Sequence, residues 1–286
     1  MTARQMTFDG VVLESIVETP DTKTLVIDVG PHSGYRAGQY VSIDPHQFPG
    51  LGSFIGYLEQ TKGRREVPRA YSMCSAPTEP YVAITIKEEV FEPGRTAYPP
   101  LLSGYLVHQV RAGDRMVVTG FTGAYVLPDD IEQKTPHVLH LCAGSGSVPN
   151  FSMIKDSLQR HTRLRHTFLY SNKTWKDIIF RDALNDLAAR HPDRLRVVHA
   201  LTREQGELPP EVDVWRGRID VEMLRAVLCQ EPESFVFMCG PAITVWDRRA
   251  CAAKGTTPSP QFLEGMQAHL AALEFPKARI KMEAYG

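Results

Sequence analysis

The sequence predicts two domains of different class: an N-terminal antiparallel β-barrel over residues 1–130 and a C-terminal α/β domain on a parallel sheet over residues 131–286. Three observations carry that prediction. Through the first part, short runs alternate apolar and polar residues and are cut by turn residues, the rhythm of antiparallel strands. "LPDDIEQKTP", polar and proline-flanked, then reads as a linker. Beyond it, apolar runs of strand length are each followed by a helical pattern, four times over, which marks a parallel sheet covered on both faces. A length of 286 residues agrees, since domains usually hold about 100 to 150.

In the first part the strands are "FDGVVLESIVET", "TKTLVIDVG", "YVSID", "YVAITIKEEV" and "DRMVVTGFTGAYVL", with turns at "RAGQY" and "EPGR". One short helical stretch, "GYLVHQV", precedes the last of them. Many short strands with one small helix imply a closed or nearly closed barrel. Residues 44 to 68, "DPHQFPGLGSFIGYLEQTKGRREVP", fit neither rhythm and read as a loop with a helical turn. In the second part the strands "HVLHLCA", "RHTFLYS", "RLRVVHAL" and "SFVFMCG" alternate with the helices "NFSMIKDSLQR", "IIFRDALNDLAARH", "DVEMLRAVL" and "AITVWDRRACAAK". A further helix, "PQFLEGMQAHLAAL", and a strand, "RIKMEAYG", close the chain.

Composition narrows the classes. Apolar residues make up 43% and charged residues 23%, as in chains that bury real cores. A net charge of -1 gives no bulk attraction to nucleic acid or anionic lipid, so a charged partner must meet a local patch. The five cysteines, at positions 74, 142, 229, 239 and 251, are odd in number and scattered, which suits reduced thiols and offers neither a zinc site nor an iron–sulphur cluster. If electrons move here, an organic cofactor carries them. The opening "MTARQMTFDG" lacks the apolar core of a signal peptide and no run is long enough to span a bilayer, so the expectation is a soluble, cytoplasmic protein.

Three short motifs hold chemistry. "RAYS" at residues 69–72 places a fixed cation, an aromatic ring and a hydroxyl on one strand. It is either the solvated start of a turn or a set addressing one ligand with a phosphate, a flat ring and a polar ring edge. "GSGSVP" at residues 144–149 lies between a strand and a helix, where glycines let a backbone approach a ligand and free N–H groups favour phosphate. Proline stands where the dinucleotide fingerprint has its third glycine, so a plain tight turn is the competing reading. "CGP" at residues 239–241 ends the fourth strand, and in an open parallel sheet Cys239 shares the carboxyl edge with the glycine loop. A buried structural thiol is its alternative.

"RAYS", "SGYL", "GSGSVP" and "CGP", in that order across a barrel and a parallel sheet, resemble the ferredoxin–NADP reductase superfamily from about residue 8 onward. The resemblance implies an FAD-dependent oxidoreductase that passes electrons from NAD(P)H to a separate ferredoxin or oxygenase component. Arg69 would pair with the flavin pyrophosphate, Tyr71 lie against the flavin, and Ser72 hydrogen-bond near the reactive ring nitrogen. Ala70, Thr85, Lys87, Ser103 and Gly104 would join the flavin contacts. Gly144, Ser145, Gly146 and Pro149 would hold the pyridine nucleotide, with Cys239, Gly240 and Pro241 beside the nicotinamide and Tyr285 covering the flavin face. Ser72, Cys239 and Tyr285 are therefore the expected catalytic residues.

Two departures qualify the match. Leu101 stands where relatives usually have glycine, and residues 45 to 67 lengthen the connection before the arginine. That insertion carries Lys62, Arg64 and Arg65, which read either as a solvated face or as a docking patch for an acidic partner. Lys173 and Arg181 after the second parallel strand, and Thr202 and Arg203 after the third, are candidates for a 2′-phosphate site, and the Thr–Arg pair tips the expectation to NADPH. Two other functions stay open: a reductase of a small acceptor, and a subunit that binds flavin or nucleotide without turnover.

Overall fold

The computed structural model describes residues 6–285 except 33, 94, 95 and 97, and the chain divides into two compact units, Met1–Val126 and Leu127–Gly286. The glycine and arginine of the expected "EPGR" turn lie outside the described residues.

Unit 1 holds strands β1 (Met6–Thr19), β2 (Thr22–Asp28) and β3 (Tyr40–Ile43), then helix α1 (Gly52–Lys62), β4 (Arg69–Ser72), β5 (Val82–Lys87), α2 (Ser103–His108) and β6 (Arg115–Thr122). The sheet runs β4-β3-β6-β1-β2-β5, and every pair is antiparallel. Its two edges meet through a bridge between Met73 and Ile84 and a 2.8 Å bond from the Cys74 N–H to the Ala83 carbonyl, so the sheet nearly closes into a barrel. Leu25, Ile27, Val41, Ile43, Met73, Ile84, Ile86 and Val118 fill it, with Leu106 and Val107 of α2 packed on the same core.

Residues 44–68 correct the sequence reading. They form two 3-10 turns, Pro45–Gln47 and Pro49–Leu51, that run into the 11-residue helix α1. Gly52, Gly56 and an N-terminus without a side-chain cap weaken the local signals for its start and interior, although Gly63 in the left-handed conformation closes it. Burial of Ile55 and Leu58 in the barrel core supplies what propensity does not.

Unit 2 opens with the single turn α3 (Ile131–Lys134), inside the expected linker. It continues β7 (His137–Ala143), α4 (Ser147–Arg160), β8 (Arg165–Asn172), α5 (Arg181–Arg190), β9 (Leu195–Leu201), β10 (Asp213–Arg216), α6 (Val221–Gln230), β11 (Phe235–Pro241), α7 (Val245–Ala253), α8 (Phe262–Ala272) and β12 (Ile280–Tyr285). All strand pairs are parallel, in the order β10-β9-β8-β7-β11-β12. Strand β10, a mostly exposed edge of four residues, carries too little alternation to be seen in the sequence. The chain winds outward from β7 to β10, then returns to place β11 on the other side of β7. The gap between the carboxyl ends of β7 and β11 is thus a topological switch point, where open parallel sheets bind ligands.

Candidate functional site

Strand β4 is "RAYS" itself, paired antiparallel to β3 with Ser72 opposite Tyr40 and Arg69 opposite Ile43. Two-residue alternation puts Arg69 and Tyr71 on one face, both half-buried, and Ser72 on the other, buried. Burial, with the Glu89 carboxylate nearby, pushes the Tyr71 phenol far above its usual range, so it stays protonated. The Ser72 hydroxyl has no protein hydrogen-bond partner among the described residues.

Arg69 does not wave in solvent. Its Nη2 lies 2.5 Å from Oε2 of Glu66, and its Nη1 donates to the Val67 carbonyl. The other Glu66 oxygen takes Lys62 Nζ at 2.6 Å, and that ammonium also sits 4.7 Å above the Tyr98 ring. Glu66 is buried; burial pushes its carboxyl up, but the hydrogen bonds from Lys62 and Arg69 outweigh this and hold it below the ordinary value. Its backbone N–H donates to Glu59 at 2.8 Å, and His46 bridges Glu59 and Asp44 at 2.9 and 2.6 Å. The insertion therefore builds a rigid charged mount for Arg69, leaving guanidinium donors over for an anion. Of its three cations, Lys62 points inward, while Arg64 and Arg65 are exposed. Glu66 escaped the sequence reading because only the folded helix brings Lys62 to it.

The other expected flavin residues divide. Ser103 opens α2, is buried, and accepts the Glu89 N–H at 3.1 Å, with Gly104 next to it. Thr85 is 2.7 Å from Thr24 across the β2–β5 ladder, and Lys87 pairs at 2.7 Å with Asp21 in the turn before β2, so both side chains are engaged. Leu101, in the place expected for glycine, is a buried core residue. Ala70 is exposed on β4.

In unit 2, β7 ends at Ala143 and Gly144–Gly146 form a 3-10 turn into α4, which begins at Ser147 so that Pro149 lies in its first turn. Gly144 takes the left-handed conformation at φ +52°, and a Cβ there would meet only open space; a Cβ at Gly146 would collide with the Cys239 carbonyl. That close approach joins the glycine loop to "CGP" on one sheet edge. The Tyr170 hydroxyl of β8 lies 2.9 Å from the Gly144 carbonyl and 3.0 Å from Ser147 Oγ, clamping the loop from beneath. Cys239 is fully buried, and burial followed by the charge of Glu283 pushes its thiol well up, so it is a neutral group there. Glu283 stands opposite Cys239 in the β11–β12 register, and Tyr285 stands opposite Pro241. Burial alone raises the Glu283 carboxyl to about 7, and its Oε2 has no hydrogen-bond partner among the described residues. The sequence showed Glu283 only as one letter of a strand; strand register makes it a neighbour of Cys239.

The β8–α5 and β9–β10 connections are stitched together. The Thr202 hydroxyl donates to the Asn172 carbonyl at 3.2 Å and the Arg203 N–H to the Lys173 carbonyl at 2.8 Å. Glu204 takes the backbone N–H groups of Trp175, Gln205 and Gly206. Its charge is thereby spent on the loops, and those bonds, Trp175 first, hold its carboxyl below the ordinary value. Arg203 and Lys173 carry no ion-pair partner among the described residues, while Arg181 binds Asp182 and lies over Trp175.

Residues 141–245 match the family of oxidoreductase NAD-binding domains. The chain is 29% identical over 276 residues to the ferredoxin reductase component of a 3-ketosteroid-9-alpha-monooxygenase from Mycobacterium tuberculosis, covering 96% of this chain and 64% of that protein. It is 31% identical over 192 residues to the reductase subunit of a glycine betaine monooxygenase from Chromohalobacter salexigens, covering 66% of this chain and 48% of the relative. The chain thus spans less than two thirds of the length of these curated relatives. In fold it superposes on the flavohem-like FAD/NAD binding domain of a nitric oxide dioxygenase from Vibrio cholerae with a TM-score of 0.67, at 23% identity over 98% of both chains.

Proposed function

We propose, from the premise that this chain has the ferredoxin–NADP reductase fold with an oxidoreductase NAD-binding domain over residues 141–245, that it carries electrons from NAD(P)H through FAD to a separate ferredoxin or oxygenase component. The observation that carries this reading is the meeting of the glycine loop and Cys239 at the switch point of the parallel sheet. The residues fit the two cofactors. Arg69 is anchored yet keeps guanidinium donors for a pyrophosphate, and the Ser72 hydroxyl is unclaimed; Gly144 opens onto free space at the start of a 14-residue helix.

When bound, FAD would accept a hydride from the nicotinamide and release electrons singly. The protein binds and orients. Arg69 holds phosphate, Tyr71 offers a protonated, half-buried ring surface, and Ser72 gives a hydrogen bond to the flavin edge. The N–H groups after Gly144 receive the nucleotide phosphates, and Cys239 presents a small neutral group beside the nicotinamide. Glu283, titrating near 7, can hold a proton at Oε2 on the same edge. Lys173 and Arg203, without ion-pair partners among the described residues, supply cations for a 2′-phosphate, which supports NADPH; Thr202, whose hydroxyl proton goes to Asn172, supports it less. No helix among the described residues is long and apolar enough to cross a membrane. All five thiols are free, which suits a cytoplasmic setting.

Anaerobic titration with NADPH and then NADH tests the reading. Bleaching of a flavin band is expected, faster with NADPH. Failure of both nucleotides to reduce bound flavin would leave a non-catalytic binding subunit.

A further inference from the structure

Behind the glycine loop, four buried polar side chains make a continuous line. Asn150 Nδ2 lies 3.1 Å from the Gly146 carbonyl, and Asn150 Oδ1 lies 2.8 Å from His140 Nδ1. His140 Nε2 is 3.0 Å from His166 Nδ1, and His166 Nε2 is 2.8 Å from Ser157 Oγ. None of the four is more than 1% exposed.

The direction of this line follows from what each group can do. A backbone carbonyl only accepts, so Asn150 must turn its amide N–H to Gly146 and its oxygen to His140. His140 then carries its proton on Nδ1 and, being neutral, accepts on Nε2. His166 must therefore also carry its proton on Nδ1, and its Nε2 accepts the rotatable hydroxyl of Ser157. Burial keeps both rings neutral, lowering His140 to about 4 and His166 well below its ordinary value.

We propose that this one-way chain is a positioning device for the nucleotide loop, with Asn150 as the positioning residue. It latches the Gly146 carbonyl toward the protein interior, so that the loop's N–H groups are presented to the phosphates instead of having to be ordered by them. The proposal rests on the nucleotide-binding reading above. A second network supplies a control: His137 bonds Ser234 Oγ at 2.7 Å and Thr167 Oγ1 at 2.9 Å, all three are buried, and none of these hydrogen bonds reaches the loop.

Two measurements test it. Nitrogen NMR of the wild-type histidine side chains at pH 7 should show His140 and His166 both protonated on Nδ1 alone; the opposite tautomer or a charged ring at either position would overturn the chain. Calorimetric titration with NADPH should show Asn150→Leu weakened about five- to tenfold, the size of one lost hydrogen bond. Thr167→Val should lower Tm yet bind within about twofold of wild type, because it touches only the control network. If Asn150→Leu fails to fold, His140→Leu leaves Asn150 in place without the bond that orients its amide toward Gly146, and should weaken binding in the same direction. Nucleotide affinity unchanged in the variant that folds sinks the proposal, whereas a wild-type protein that binds no nucleotide sinks the functional reading instead.

Discussion

Arg69 and the glycine loop are both held in place by side chains behind them, yet by opposite chemistry. Arg69 is gripped by charge: Glu66 shares its two oxygens between Arg69 and Lys62, and Glu59, His46 and Asp44 extend the network outward. Gly146 is gripped without charge, through Asn150 and two neutral histidines. The difference follows burial. Glu66 is buried, but the two cations that share it stay partly exposed, so water reduces their cost, and a cation must stay charged to meet phosphate. Beneath the parallel sheet an ion would cost several kcal/mol to desolvate, so polar positioning there is done by neutral groups with matched donors and acceptors.

Acid should separate the two regions most. His137, His140, His166 and His199 of unit 2 are all lowered by burial, His140 and His199 to about 4. Between about pH 6.5 and about 4 the unfolded chain binds protons at these four histidines that the folded unit refuses, each costing up to about 1.4 kcal/mol per pH unit, while Glu283, raised to about 7, and Asp156, also raised, work the other way; four groups against two leave unit 2 less stable as pH falls. His46 of unit 1 has the opposite sign. Hydrogen bonds to Asp44 and then Glu59 raise it, so its contribution is complete below the ordinary histidine value and fades as pH rises through the raised one. Hydrogen exchange at pH 7 and pH 5, corrected for intrinsic rates, should show protection falling in β8 and β9 while β2 holds; equal losses would erase the contrast.

Arg69→Ala comes next and should cost the purified protein most of its bound flavin. Full flavin content in that variant would return "RAYS" to an ordinary strand. Glu66→Ala should destabilise unit 1 by roughly 1–3 kcal/mol in urea unfolding, below the usual figure for a broken buried pair because Lys62 and Arg69 can partly rehydrate. It should also loosen flavin less than Arg69→Ala does; an equal loss would make Glu66 a ligand in its own right. The smallest effect belongs to Cys239→Ala, which should slow flavin reduction and leave flavin bound, and unchanged reduction kinetics would make the thiol purely structural.

Alternation and turn residues showed the barrel and the parallel sheet because their strands follow period two or form short apolar runs. Helix α1 was hidden, since its glycines and bare N-terminus carry no signal and its stability comes from Ile55 and Leu58 reaching a core built by distant strands. The candidate site divides in the same way. Arg69, Gly144 and Cys239 sit in short local motifs, whereas Glu66, Glu283 and Asn150 gain meaning only from a helix turn, a strand register and a buried histidine on another strand.

The contact between Gly146 and Cys239 also bears on when this protein can first act. Gly146 lies in the turn after β7 and Cys239 on β11, strands that are adjacent in the sheet but far apart in the sequence, with β8, β9 and β10 formed between them. Loop closure over such a separation comes late, after local helices and neighbouring strands are in place. The wall that shapes the glycine loop is therefore among the last pieces to arrive, and a chain emerging from synthesis should gain nucleotide affinity only once β11 has docked beside β7.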